Sequence, residues 1–340
     1  MRHIILSKLI ITADLNRKEA RAEDKPMNIL ITSISKKVPL IRAVREAAAK
    51  IKGDHQIIGA DSNRECVGKY FVDDFWEMPL LSELSEQELI RFCAQKQVDV
   101  IIPTRDGELL YFAGIKERLR REGIYVMISS FSSIQKCLDK LEFYTFGRDR
   151  SYPVIPTSLN VSTLPYDRYA VKERFGAGSS NIGLNLTVEE AQDWAKRMRH
   201  PIFQPYIEGS EASIDLYVGM NGKVKGCICR YRELTVGGES QITTVFEDEK
   251  LQSESVRMVE SLGLYGHVVV QVMMDRDGAF HFIECNSRFG GASTASIRAG
   301  LDSFYWALLE SQGIHLGSYS FERKNGIKMV RYAEDLFIEQ

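Results

Sequence analysis

Residues 268–291 read VVVQVMMDRDGAFHFIECNSRFGG, and this stretch decides the fold prediction. Two apolar strands flank an aspartate–glycine dipeptide, which is typical of a tight β-hairpin turn. The two-residue period of a strand places Glu284 and Asn286 on one face, and Gln271 lies near them on the partner strand. Carboxylate and amide oxygens are hard ligands that suit Mg²⁺, which also takes phosphate oxygens. The stretch therefore predicts a metal-binding hairpin.

Arg288 continues the face of Glu284 and Asn286, one step beyond them. A guanidinium beside a metal is well placed to neutralise a phosphate oxygen. The alternative is a polar strand edge that faces solvent. The apolar neighbours indicate a largely buried hairpin instead, and buried polar side chains need partners. We therefore predict Gln271, Glu284 and Asn286 as metal ligands and Arg288 as a catalytic residue.

A glycine-rich loop follows a predicted strand in AVKERFGAGSSNIG, residues 170–183. The backbone N–H groups of Gly176, Gly178 and Ser179 can turn towards a phosphate, and Lys172 adds a positive charge for the same anion. Taken alone, the loop is equally well explained as a plain hairpin turn. Together with the metal hairpin it predicts phosphate binding, with Lys172 also taking part in catalysis.

The segment QPYIEGSEASID, residues 204–215, links two predicted strands. Main-chain groups of Tyr206 and Ile207 are candidates for reading the edge of an adenine. Glu211 is a candidate for accepting two hydrogen bonds from a ribose diol. Glu208 is interpreted as a turn residue.

Further polar residues on predicted strands have two interpretations each. Arg230 and Arg232 share a strand face, where they either clamp an acidic substrate or a transferring phosphoryl group, or pair with surface carboxylates. His267 and His281 flank apolar strands and are expected to pack there. Three residues follow the strand VDVIIPT at an edge where open α/β sheets bind ligands, although acidic residues also favour a helix N-terminus. These are Arg105, Asp106 and Glu108.

The order of strands and helices predicts two kinds of domain. Strands and helices alternate over residues 27–128, which predicts a doubly wound parallel α/β subdomain. Residues 129–340 instead predict antiparallel sheets flanked by helices, an α+β domain with a small glycine-loop lobe (129–207) and a metal-binding lobe (208–340). The first βα turn, TSISKKVP, has no glycine, and neither a GxGxxG fingerprint nor a phosphate-binding GxxxxGK[ST] motif occurs.

The composition excludes several classes of function. The 340 residues carry a formal net charge of -2, with 44% hydrophobic and 26% charged residues. Such a chain has no global electrostatic reason to bind nucleic acid or an anionic membrane, and no apolar run is long enough to span one. The six cysteines are scattered without metal-site spacing, which fits a reducing cytoplasm. Residues 1–26 are expected to be a poorly ordered extension rather than a signal peptide.

Taken in order, these motifs resemble the ATP-grasp superfamily, in particular the group similar to the carbamoyl-phosphate synthase large subunit. DKLEFYTF, residues 139–146, resembles the first lysine motif of the family and implies that Lys140 binds nucleotide. The glycine-loop segment implies the same for Lys172, and the linker segment implies it for Gln204, Ile207 and Glu211. IECNSRFGG stands where the family has an IE-x-NPRFGG pattern, with Ser287 in place of the proline.

The resemblance implies a pre-ATP-grasp α/β subdomain followed by an ATP-grasp domain. It implies that ATP and one or two Mg²⁺ ions, with Mn²⁺ as an alternative, are bound between two antiparallel sheets. A small-molecule carboxylate would become an acyl phosphate and then pass to an amine. A phosphotransferase and a nucleotide-binding regulator without turnover remain the alternatives. A homodimer is compatible with the sequence, which does not identify the acid or the amine.

Overall fold

The protein is described by a computed structural model, which covers residues 26–176 and 181–339. Its N-terminal part is a five-stranded sheet with the order β3-β2-β1-β4-β5, and all four neighbouring pairs are parallel. Except for Pro26, the predicted N-terminal extension lies outside the described residues. The strands are β1 (Asn28–Thr32), β2 (Gln56–Asp61), β3 (Asp74–Glu77), β4 (Val100–Ile102) and β5 (Tyr125–Val126).

Helices cover both faces of this sheet: α1 (Val38–Ala48), α2 (Glu86–Gln95) and α3 (Asp106–Arg121). Ile29 and Ile31 of β1 pack on the side of α1, while Leu30 packs on the side of α2 and α3. Successive strand residues point to opposite faces, so an uninterrupted apolar strand needs a helix on each side. This confirms the predicted doubly wound subdomain.

Two short helices, α4 (Phe131–Leu138) and α5 (Lys140–Arg148), lead into a three-stranded antiparallel sheet. Its order is β7-β6-β8, and α6 packs against it around a small core of its own. The glycine-rich segment joins β6 to β7, as the hairpin prediction requires. The elements are β6 (Tyr169–Glu173), β7 (Gly183–Leu186), α6 (Val188–Ala195) and β8 (Pro201–Pro205).

The largest sheet is six-stranded, with the order β13-β12-β9-β10-β11-β14. All of its neighbouring strands are antiparallel, which confirms the predicted change of architecture. The strands are β9 (Gly209–Val218), β10 (Val224–Val236), β11 (Glu239–Phe246), β12 (Gly266–Asp275), β13 (Phe280–Asn286) and β14 (Lys328–Val330). The remaining helices are α7 (Glu249–Ser261), α8 (Thr294–Arg298) and α9 (Ser303–Ser311), and short 3₁₀ turns occur at Val67–Phe71, Val161–Thr163 and Leu316–Ser318.

The two faces of this sheet have different neighbours. One face packs against α4, α5 and α7 in an apolar core that includes Ile214, Val270 and Phe282. On the other face, Tyr217 and Phe304 share a core with β1 and α1 of the N-terminal sheet. The second face therefore lies beside the N-terminal subdomain, and the polar residues described below are on it. Among the helices of the described residues, none combines the length and the apolar character needed to cross a membrane.

Candidate active site

A β-bulge in the β12–β13 hairpin determines the direction in which the side chains of the predicted metal ligands point. Gln271 pairs with Glu284, but the next residue of β12, Val272, pairs with Phe282, so Ile283 is the extra residue. After the bulge, Glu284 and Asn286 share the polar face. Phe282 before the bulge and Cys285 after it belong to the apolar core. The Asn286 amide donates to Oε1 of Glu284 at 3.2 Å. Bulges commonly redirect side chains in this way next to functional sites.

The Gln271 amide provides a test of whether this face suits a cation. One end of the amide lies 3.2 Å from Oε1 of Glu284 and 3.2 Å from Oε1 of Glu211. With its NH₂ group at that end, the amide donates to both carboxylates. With its oxygen there, three oxygens face one another, an arrangement that a cation between them would stabilise. The donor set therefore fits Mg²⁺, which prefers oxygen ligands and keeps positions for water or phosphate.

The site does not rest on carboxylates alone. Within the part of the chain that the structure describes, no group of three His, Cys, Asp or Glu residues is arranged to hold a metal. A cation here would need amide oxygens from Gln271 and Asn286 as well as substrate oxygens, which is how Mg²⁺ is usually held at phosphate-transfer sites.

The two predicted lysines meet Glu284. Lys140 is the first residue of α5, and its Nζ donates to the Gly176 carbonyl at 2.8 Å and lies 3.8 Å from Oε2 of Glu284. Lys172, on β6, is buried, and burial lowers its pKa to about 8 against the opposing charges of Glu284 and Glu211, while Lys140 lowers it further. Two cations therefore lie beside the metal face, where a polyphosphate would need them.

An ion pair that the sequence analysis missed holds the glycine-rich segment against α5. The Arg174 guanidinium donates to both Asp139 oxygens, at 2.7 and 2.6 Å, and the Lys140 backbone N–H donates to the Arg174 carbonyl at 3.2 Å. Asp139 also caps α5. The signal in the sequence was an aspartate directly before a helix that begins with lysine, a typical N-cap position.

The predicted phosphate loop is only partly described. Gly176 has a φ of 106°, a left-handed conformation that glycine adopts without strain. Gly178 and Ser179 lie outside the described residues, so their predicted contacts with phosphate stay predictions.

The linker between β8 and β9 restricts the adenine prediction. The backbone N–H of Tyr206 already donates to the Arg168 carbonyl at 2.9 Å, so it is not free to read an adenine edge. The groups that remain candidates for reading an adenine edge are the Tyr206 carbonyl and the main chain of Ile207. Gln204 is buried, and its amide donates to Thr157 Oγ1 at 2.8 Å. Exposed Glu208 forms an ion pair with Arg276, as suits a turn residue.

Glu211 lies closer to the metal face than its sequence position suggested. It faces the Gln271 amide, and the Nε of Arg232 lies 2.9 Å from its Oε1. Nε of Arg232 has no hydrogen-bond partner in the part of the chain that the structure describes, so this ion pair lacks the alignment of a hydrogen bond. Glu211 thus lies between the linker and the predicted metal ligands. Its contact with ribose stays a prediction.

Arg230 lies in a buried ion pair. It is only 2% exposed, and its Nε donates to Oδ2 of Asp215 at 2.5 Å. Among the described residues, its Nη1 has no hydrogen-bond partner. The guanidinium lies beside Gly290, so Arg230 is also placed to position the segment after the hairpin, and its catalytic contact stays a prediction.

Asp215 is the centre of that buried network. It accepts hydrogen bonds from Ser293 and, at 2.8 Å, from Ser296, and its Oδ1 lies 3.0 Å from His267 Nε2. Burial acts to raise the pKa of Asp215, but Arg230 and His267 outweigh it and hold the pKa well below its usual range. His267, expected to pack, is therefore also a hydrogen-bonding residue. His281 lies 3.1 Å from Asp275 at the hairpin end.

A cavity of about 750 Å³ separates the metal hairpin from α3 of the N-terminal subdomain. Its lining includes Glu284, Asn286, Lys140, Gly176 and Asp106. The cavity therefore reaches from Lys140 and the predicted metal ligands to Asp106 at the start of α3. It is large enough for a small-molecule substrate.

Of the three residues for which an acceptor role was left open, only Asp106 lines the cavity with Glu284 and Asn286. Its two oxygens accept from Arg288, 2.7 Å from Nε and 2.5 Å from Nη2. Glu108 is fully buried and accepts from the backbone N–H groups of Thr104 and Arg105, so it caps α3 and does not line a site. Of the two interpretations left open for Glu108, the helix-terminus one fits this geometry. Arg105 is exposed.

Lys37 is a second residue that the sequence analysis missed. It follows β1, and its Nζ donates to the carbonyl and the hydroxyl of Thr104, at 2.8 and 2.6 Å. The available signal was a lysine in the first βα turn of a parallel sheet, where ligands gather.

Comparisons with known proteins agree with this architecture. A family model described as "ATP-grasp in the biosynthetic pathway with Ter operon" matches residues 197–334, and one described as "PylC-like, N-terminal domain" matches residues 29–127. A carbamoyl-phosphate synthase of Methanobrevibacter smithii is 22% identical over 251 residues, which cover 68% of this chain and 67% of that protein.

Two solved structures illustrate the shared fold. N5-carboxyaminoimidazole synthetase from Staphylococcus aureus, complexed with ADP, has a TM-score of 0.70 at 19% identity, covering 87% of this chain and 80% of its own. The biotin carboxylase domain dimer of Hydrogenobacter thermophilus 2-oxoglutarate carboxylase, in complex with MgADP, ADP and bicarbonate, has a TM-score of 0.68 at 19% identity, covering 88% and 72%.

Proposed function

We propose, from the premise that this chain carries an ATP-grasp domain behind a PylC-like N-terminal domain, that it is an ATP-dependent carboxylate–amine ligase. It would activate a carboxylic acid as an acyl phosphate on Mg-ATP and transfer the acyl group to an amine, with release of ADP and phosphate. The observation that carries this proposal is the meeting of Lys140 and Lys172 with the oxygen-bearing face of Glu284.

The residues of the site divide the work of phosphoryl transfer. Gln271, Glu284 and Asn286 would hold Mg²⁺, which supplies charge neutralisation for the phosphate oxygens when bound. Lys140 and Lys172 neutralise the remaining negative charge and orient the polyphosphate. Phosphoryl transfer depends mainly on positioning and electrostatics, so no covalent contribution from the protein is needed.

The cavity favours a ligase over a phosphotransferase. It continues past Glu284 and Asn286 to Asp106, so a second substrate has room beside the phosphate-binding cluster. A phosphotransferase needs no such space for an amine. A regulator that binds Mg-ATP without turnover would use the same lysines and metal ligands, so ADP release separates it from the ligase. The glycine-rich segment, held by Lys140 and Arg174, would keep water from the acyl phosphate.

The finer properties of the protein belong to the same proposal. The substrates would be small molecules, and the enzyme would work in the cytoplasm, which suits free cysteines that are all buried. A homodimer is consistent with the dimer of the Hydrogenobacter thermophilus biotin carboxylase domain, which has a similar fold. One or two Mg²⁺ ions, or Mn²⁺, would serve the reaction.

The test is ADP release from Mg-ATP against a panel of carboxylic acids, each with and without pooled amino acids as amines. Release that requires both an acid and an amine supports the ligase. An acid that supports release alone and yields a stable phosphorylated product would establish the phosphotransferase instead. Hydroxylamine separates these outcomes, because it traps an acyl phosphate as a hydroxamate. Tight Mg-ATP binding with no release for any acid would favour the regulator.

A further inference from the structure

The N-terminal sheet has its topological switch point between β1 and β4. The chain leaves β1 towards β2 on one side and later returns to β4 on the other, so the turns after β1 and β4 separate and leave a crevice. Open α/β sheets bind ligands in such a crevice, at the carboxyl ends of the strands. Lys37 comes from the turn after β1, Thr104 comes from the turn after β4, and Asp106 begins α3 directly after that turn.

Lys37 bridges this crevice, and within residues 26–176 and 181–339 no carboxylate accepts a hydrogen bond from it. Its hydrogen bonds there go to uncharged acceptors, the carbonyl and the hydroxyl of Thr104. The hydroxyl in turn donates to the Thr32 carbonyl at 2.6 Å, which fixes the Thr104 side chain. An ammonium has three N–H donors, so one donor of Lys37 is not used by Thr104.

Arg288 faces the same crevice with part of its guanidinium. One edge, formed by Nε and Nη2, is held by Asp106, and Nη1 donates to the Phe289 carbonyl at 3.3 Å. These contacts use three of the five N–H donors of an arginine and leave one on Nη1 and one on Nη2. That end-on edge is suited to a carboxylate, which binds guanidinium groups in a two-pronged manner.

Charges of both signs surround the crevice. Lys37 is acted on by Glu108, Arg288, Asp106 and Arg105, and Arg288 is acted on by Asp106, Glu284 and Glu239. Glu108 is engaged by the cap of α3 and Asp106 by Arg288. An anion would therefore be held here by directed hydrogen bonds from Lys37 and Arg288, and not by a net positive charge.

We propose that Lys37 and the free edge of Arg288 bind a carboxylate of the acid that the enzyme activates. The inference rests on the proposed function and deepens it, because it names the residue of the N-terminal subdomain that selects an anionic substrate. Arg288 lies two residues beyond Asn286, so a carboxylate held at this edge lies next to the metal hairpin. Thr104 and Asp106 act as positioning residues for Lys37 and Arg288.

The test uses acetate as the smallest carboxylate probe and acetamide as its neutral isostere. Lysine side chains labelled with ¹³C at the ε position are followed by NMR in the full-length wild-type protein, at constant ionic strength. Acetate is expected to shift the Lys37 signal in a saturable manner, and acetamide and chloride are not. The Lys37→Met variant assigns the signal and is expected to weaken acetate binding about 10- to 100-fold, the loss typical of one charge-assisted hydrogen bond.

Lys36→Met is the matched control, because it removes the same charge from the exposed neighbouring residue. It should leave the affinity for acetate unchanged. No saturable shift of Lys37, or equal shifts by acetate and acetamide, would overturn the proposal. Because this binding experiment requires no turnover, its failure is distinguishable from failure of the ligase reaction, which is read from ADP release.

Discussion

At the scale of single residues, Glu284 connects the parts of the site. It lies 3.8 Å from Lys140, accepts from Asn286 and faces the Gln271 amide. Burial lowers the pKa of Lys172, and among the carboxylates Glu284 does most to offset this effect. A carboxylate in this position serves two purposes, because it offers an oxygen ligand to a cation and it compensates two lysines before any phosphate arrives.

Replacing Glu284→Ala should therefore lower Mg-dependent ADP release by more than about 100-fold, the loss expected when a preorganised electrostatic contact to the transition state is removed. The fold should persist, because the side chain is only half-buried. ADP release and circular dichroism measure the two effects. Glu208→Gln removes a carboxylate of the same kind from an exposed ion pair and should leave release unchanged. An unchanged rate in Glu284→Ala would contradict the metal site.

A pH dependence follows from Lys37. Burial is the largest effect on this residue and lowers its pKa to about 8, so its ammonium form dominates only below that pH. Carboxylate binding needs the charged form, so the dissociation constant of acetate should rise as the pH increases through 8. Binding itself raises the pKa, since the carboxylate favours the ammonium, and the midpoint in the complex should lie above 8. NMR titrations with acetate at several pH values measure this.

The Lys37→Arg variant is the control for that titration, because arginine stays charged across the range. Its acetate affinity should vary little between neutral pH and pH 9. A wild-type affinity that does not change with pH would show that Lys37 takes no part in binding.

At the scale of elements, the ion pair between Asp139 and Arg174 joins α5 to the strand that carries Lys172. Both oxygens of Asp139 are used, and Arg174 immediately precedes the glycine-rich loop. A two-pronged pair that is partly shielded from water is stronger than an exposed one. It fixes the distance between the segments that present Lys140 and Lys172, and so it prepares both lysines for the same polyphosphate.

The Asp139→Asn variant isolates this contact, because asparagine is as good an N-cap as aspartate but carries no charge. The KM for ATP should rise about tenfold, corresponding to about 1.4 kcal/mol of lost positioning. Amide hydrogen exchange in β6 and β7 should become faster. Arg148→Met breaks an exposed ion pair on the same helix and should change neither quantity. Unaltered exchange in Asp139→Asn would contradict the proposed link.

Elements differ in how far the sequence predicts them. The β12–β13 hairpin and the shared face of Glu284 and Asn286 were predictable, because a strand period and a turn dipeptide are local signals. The contacts of the Tyr206 N–H with Arg168 and of Arg230 with Asp215 were not predictable, because they depend on neighbouring strands. The pairing of Arg288 with Asp106 joins residues 182 positions apart, and no local pattern encodes it.

At the scale of the whole molecule, the Asp215 network ties the large sheet to the segment that continues the metal hairpin. Asp215 and Arg230 lie on adjacent sheet strands, while Ser293 and Ser296 lie after the hairpin. His267 extends the network to Ser303 at the start of α9, whose Phe304 packs in the core shared with the N-terminal sheet. The network therefore links the segment that follows Arg288 to the packing between the two main sheets.

Asp215→Asn should lower the free energy of unfolding at neutral pH by about 3–5 kcal/mol, because it leaves the Arg230 guanidinium buried without its counter-ion. The dependence on pH should change as well. The pKa of Asp215 is lower in the folded protein than the ordinary value of 3.8, so its stabilising contribution is present above pH 3.8 and is lost as the pH falls below it. The variant should show a weaker loss of stability in that acid range.

Urea unfolding at several pH values, followed by tryptophan fluorescence, measures both effects. Asp193→Asn, which breaks an exposed ion pair with Lys196, is the matched control and should unfold like the wild type at neutral pH. If the stability of Asp215→Asn fell with acid in parallel with that of the wild type, the charge of Asp215 would not contribute to folding. The network would then act through packing alone, and Arg230 would lose its assigned influence on the segment that follows Arg288.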